Sequence, residues 1–77
     1  MNTKEQAIIL ATKATDTLDK NKGVFTLTFF DDTKKKVKVL NINSRLDESD
    51  FSCILTTFTN DINNTTFYSI YDLKDIN

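Results

Sequence analysis

The 77-residue sequence has no histidine, no proline and no tryptophan, and only one cysteine and one glycine. Each shortage excludes something. With Cys53 alone, no disulfide can form within the chain, and without histidine the zinc sites built from Cys and His are ruled out. The lack of histidine also removes the commonest general base and the Ser-His and Cys-His nucleophile pairs. A single glycine cannot furnish the phosphate-cradling loops of nucleotide-binding enzymes. No stretch approaches the roughly 18 continuous apolar residues of a membrane span. The short apolar run near Lys4, Glu5 and Lys13 lacks the form of a secretory signal, so the expected setting is reducing and cytoplasmic, with no membrane partner. No cofactor or metal is expected.

Seventy-seven residues form one small domain at most, spanning 1–77. A chain of this size buries only about 60% of the surface it exposes when unfolded. Disulfides and Cys-His zinc sites being excluded, either its packing is efficient or a second chain supplements it.

What is present begins with charge. The formal net charge is −1, yet residues 1–43 carry eight lysines against five acids, whereas residues 44–77 carry Arg45 and Lys74 against six. Such asymmetry orients a protein toward a charged partner, although uneven use on a solvated surface gives the same count.

The segment TKEQAIILATKATDTLDKNKG reads as a helix. Thr3 and Gln6 have capping-box spacing, Ala7, Leu10, Ala11, Ala14 and Leu18 recur with helical period, and Gly23 falls where a C-terminal cap would. VFTLTFFDDTKKKVKVLNI then reads as a β-hairpin. Phe25, Leu27, Phe29, Val37 and Val39 share one face, DDTKK makes the turn, and Lys36 and Lys38 point the other way. NINSRLDES reads as a polar loop. FSCILTTF has helical spacing at Phe51, Ile54, Leu55 and Phe58, but its β-branched and aromatic content and the NDINN turn before TTFYSIY favour a second hairpin. DLKDIN is left as a frayed end or a single helical turn. The expected fold is α+β: an N-terminal helix packed on a four-stranded antiparallel meander. The alternative is a three-stranded sheet with two helices.

Little in this pattern is catalytic. Cys53 sits in an apolar strand, where cysteine behaves as a small buried hydrophobe. Asp31 and Asp32 are in the position of turn formers. Asp61, Asn63, Thr65, Ser69 and Asp72 approach the ligand spacing of a calcium loop, but Thr66 replaces its required glycine and Asp72 its final glutamate.

Two surfaces remain. The alternation places Phe30, Leu40 and Ile42 opposite the Phe25 face, and Tyr68 and Ile70 opposite Phe67 and Tyr71. One helix covers only one side of a sheet, so these five residues form a candidate apolar patch for another protein or for a homodimer. Lys34, Lys35, Lys36 and Lys38, beside Phe25, Phe29 and Phe30, form the second candidate, since rings that stack bases and lysines that track phosphates are the means of single-stranded nucleic-acid binders. One arginine, a pI near 5.2 and the neighbouring Asp31 and Asp32 weigh against it.

The leading expectation is therefore a small non-enzymatic intracellular protein that works by binding another protein. Its Asn-, Thr-, Lys- and Asp-rich composition suggests an accessory or inhibitory protein of an AT-rich bacterial or phage genome. Loop acids such as Asp47, Glu48 and Asp50 would then imitate phosphates if the target has a nucleic-acid groove. A weak nucleic-acid-binding protein using the lysine cluster is the alternative.

Overall fold

The computed structural model describes all residues, 1–77. It has one α-helix, α1 (Lys4–Lys20), followed by β1 (Val24–Phe29), β2 (Lys34–Leu46), β3 (Phe51–Phe58), β4 (Thr66–Ser69), a 3-10 turn (Ile70–Asp72) and β5 (Leu73–Ile76). The fold is α+β with five antiparallel strands in the order β4-β3-β2-β1-β5. The fifth strand lies within DLKDIN, which pairs with β1 instead of fraying: Leu27 faces Ile76 and Thr28 faces Asp75.

Helix α1 begins with the capping box anticipated from the sequence. The Gln6 amide donates to Thr3 Oγ1 at 3.2 Å and the Thr3 amide donates to Gln6 Oε1 at 3.0 Å, satisfying two otherwise unpaired groups. The C-terminal cap is Asn21, and the Gly23 amide closes the end by donating to the Leu18 carbonyl at 3.0 Å. Gly23 has φ +83°, and a Cβ there would lie 3.3 Å from the Val39 carbonyl oxygen. Only glycine fits both conditions without strain. Ala7 and Ala14 are fully buried, and such small side chains let the helix lie close to the sheet.

The sheet is rolled. β2 pairs with β1 through Lys34–Lys38 and with β3 through Lys38–Leu46, so its 13 residues serve two partners in succession. A bulge between Val39 and Asn41 marks the change, with Leu40 as the extra residue. β4 and β5 are the two edge strands, yet only the three-residue turn Ile70–Asp72 separates them in sequence. A flat sheet would hold β1 and β4 roughly 14 Å apart. Here the Phe29 and Tyr68 rings meet with centroids 5.7 Å apart across the interior.

Rolling lets the sheet enclose most of its own apolar side chains. A single cluster of 14 residues fills the inside, with Phe25, Leu27, Cys53, Leu55, Ile70, Leu73 and Ile76 fully buried and α1 covering the open side. Thr57, also inside, donates to the Thr66 carbonyl at 3.0 Å, so its hydroxyl is satisfied. No helix is long and apolar enough to cross a membrane.

Several expectations change. NINSRL is strand, not loop, because residues 41–46 pair with 51–56 and only Asp47–Asp50 turns. FSCILTTF is strand, as favoured. β4 stops at Ser69, whose hydroxyl accepts from the Tyr71 amide at 3.3 Å and starts the 3-10 turn.

Candidate nucleic-acid interface

On β2, Val37 and Val39 point inward, so Lys36 and Lys38 point outward. Register carries that assignment across the sheet: Lys34, Lys36 and Lys38 lie opposite Thr28, Thr26 and Val24 on one side. On the other side Lys38 lies opposite Phe58. Beyond the bulge the outward residues of β2 are Asn41, Asn43 and Arg45, facing Thr56, Ile54 and Ser52. Phe67 lies opposite Thr56 on β4 and is 67% exposed.

The electrostatics of this outer face are one-sided. β1, β2 and β3 contain five cations, Lys34, Lys35, Lys36, Lys38 and Arg45, and no acid. All eleven acids lie on α1, in turns and loops, in the 3-10 turn or on β5. Of the two turn acids, one is neutralised by an ion pair and the other keeps its charge beside Lys34. Asp32 pairs with Lys74. Asp31 accepts from the Thr33 hydroxyl at 2.6 Å and the Thr33 amide at 3.0 Å, bonds that hold its carboxyl below the ordinary value of 3.8. The ion pairs of the molecule join Lys13 to Asp75, Arg45 to Asp47 and Lys74 to Asp32, and none includes Lys34, Lys35, Lys36 or Lys38.

Alternate residues of a strand stand about 6.6 Å apart. Successive lysines at that spacing lie within one Debye length at physiological salt, about 8 Å, so the fields of neighbours in the row add. The Lys38 ammonium sits 6.0 Å from the Phe58 ring centroid, at the limit of a cation–π contact. Beside Lys36 and Lys38 runs an open groove of about 350 Å³, bounded by Val24, Thr59 and Asn60.

The residues singled out from the sequence fare unequally. Lys34, Lys36 and Lys38 form one outward row, while Lys35 faces the opposite way, paired with Leu27. Phe25 is buried and Phe29 packs on the core against Tyr68, so neither ring is free for a ligand. The expected apolar patch does not assemble. Ile70 is 0% exposed, because the 3-10 turn folds it inward. Ile42 pairs with Leu55 and packs on the core, because the bulge at Leu40 returns it to the inner face. Tyr68 also faces Leu55 and packs on the core. Phe30 and Leu40 stay exposed, at 46% and 45%, but one sits at the hairpin turn and the other at the bulge. The seven residues of β2 from Lys34 to Leu40 alone span roughly 20 Å.

The exposed aromatic that joins the basic face is Phe67 and not, as alternation alone suggests, Tyr68. Its signal is the pairing Thr56–Phe67, which follows once Leu55 and Thr57 are known to face inward. The mutual placement of Phe58 and Phe67 depends on the same register.

Cys53 is fully buried, and burial pushes its thiol up, only partly offset by the Ser44 hydroxyl 3.4 Å away. Asp61 and Ser69, two members of the calcium-like spacing, instead accept from the backbone amides of Asn63 and Tyr71. No known protein family, no curated protein and no solved structure matches the chain.

Proposed function

We propose that the protein is a non-enzymatic binding module that holds a polyanion, through its phosphates, on the outer face of the β1–β2–β3 sheet. The observation that carries this reading is the segregation of charge: four outward cations, Lys34, Lys36, Lys38 and Arg45, and no acid on three adjacent strands of a chain whose net charge is negative. Lys34, Lys36 and Lys38 supply the row, Arg45 extends it, and the groove beside Lys36 and Lys38 gives a phosphate and its sugar a seat. Like charges held in register repel, and that repulsion is relieved when an anion docks.

A triple variant, Lys34→Ala/Lys36→Ala/Lys38→Ala, tests the reading. Binding of a fluorescent oligonucleotide and of heparin is expected to weaken steeply with salt, with a log–log slope for the oligonucleotide of about −2 to −3, as three or four released counterions imply. The triple variant, with an unchanged circular dichroism spectrum, is expected to lose that binding. Wild-type protein that ignores both polyanions at roughly 50 mM salt, where three or four phosphate contacts act strongly, would overturn the proposal.

A second reading, binding to another protein or to a second copy, is favoured by the free outer edge of β4, where Phe67 and the nearby Ile62 are exposed. Exposed edges accept added strands. Sedimentation showing a concentration-dependent dimer would support it.

A further inference from the structure

We infer that the ligand of the outer face is a single-stranded nucleic acid, whose bases stack on Phe67 and Phe58 while its backbone follows the lysine row. This rests on the polyanion reading above and specifies its ligand.

Leaving Phe67 in water is costly. A large ring that is 67% exposed contributes little to the core, and it stands on the same face as the acid-free strands. Thr56 is its cross-strand neighbour, and Phe58, two residues further along β3, is its diagonal neighbour. Diagonal neighbours in an antiparallel pair are about 7–8 Å apart, within reach of two rings. Phe58 in turn faces Lys38 on β2. From β4 to β2 the face therefore reads ring, ring, cation, with Asn41 and Asn43 beside them as hydrogen-bonding groups.

That order matches one class of polyanion. Heparin and polyphosphate have no flat apolar group for the rings. Duplex nucleic acid keeps its bases stacked within the helix and offers only phosphates to a broad strand surface. A single strand presents phosphates along one side and unpaired bases along the other, the complement of a lysine row with rings alongside. With only one arginine on the face and few side chains suited to base edges, recognition falls to stacking, so sequence preference is expected to be slight.

The test compares four ligands on the intact protein by fluorescence anisotropy: an oligo(dT), an abasic strand of the same length, a duplex, and heparin. Oligo(dT) is expected to bind tightest. Phe67→Leu is expected to weaken oligo(dT) about tenfold or more, in line with the loss of one stacked base. The same variant should leave the abasic strand and heparin unchanged, and Phe67→Tyr should restore binding. If oligo(dT) and the abasic strand bind equally, or if Phe67→Leu changes nothing, the stacking inference falls while the polyanion reading stands. If no ligand binds, both fall. If Phe67→Leu instead dissociates a homodimer seen by sedimentation, the ring belongs to a protein interface and the inference is overturned.

Discussion

At Gly23 a left-handed backbone and a crowded carbonyl coincide, and the consequence is measurable. Gly23→Ala places a methyl group 3.3 Å from the Val39 oxygen at φ +83°, and should destabilise the fold by more than about 1 kcal/mol in urea denaturation. Phe67→Ala, on an exposed side chain, should change stability by no more than about 0.5 kcal/mol in the same assay. The contrast separates residues that hold the fold from residues that face a ligand. Cys53 belongs to the first group: buried and pushed toward its neutral form, its thiol should resist iodoacetamide at pH 8 in the native protein and react readily in urea.

At the scale of elements, the link between β4 and β5 depends on a residue outside both. The side-chain amide of Asn2 donates to the Ile70 carbonyl at 3.0 Å and to the Leu73 carbonyl at 2.7 Å, and its backbone amide donates to the Tyr71 carbonyl at 3.1 Å. Tyr71 adds a bond from its hydroxyl to the Phe51 carbonyl at 2.7 Å. Asn2→Ala removes two of these bonds from half-buried carbonyls and should cost about 1–3 kcal/mol, read as a lowered urea midpoint. The same link shows what sequence could and could not disclose. Helix α1 and the β1–β2 hairpin were legible because capping chemistry and alternation are local. The bulge at Leu40 was not, because no glycine or proline announces it, and one extra residue moves Ile42 from the outer face to the inner. Ile70 was misplaced for a related reason: TTFYSIY alternates like one strand, but tertiary closure ends β4 at Ser69 and turns the next residue inward. The lysine row survived because it depends only on the parity of one strand, whereas the placement of Phe67 needed the register between two.

At the scale of the molecule, charge is distributed so that the same acids act on stability and on binding in opposite senses. Asp75 is lowered first by its hydrogen bond from Lys13 at 2.7 Å, and Asp31 by its bonds from Thr33. A carboxyl lowered in the folded state adds stability that is complete above its ordinary value of 3.8 and is lost as pH falls through the folded value. The melting temperature should therefore fall with acidification below about pH 4, and Asp75→Asn with Asp31→Asn should flatten that slope. Asp31 lies in the turn beside Lys34 and Asp75 lies opposite Thr28, so the same substitutions remove negative charge near the lysine row and should tighten oligonucleotide binding at pH 7.

The three-residue passage from one sheet margin to the other also has a kinetic meaning. Leu27 and Ile76 meet across 49 positions of chain, so the last pairing requires a long excursion to close before any contact rewards it. Assembly should accordingly take milliseconds or longer, as in other domains dominated by distant pairings, and not the microseconds of a helical bundle. Substitutions at Ile76 should then accelerate unfolding more than they slow refolding, the mark of a strand that docks late.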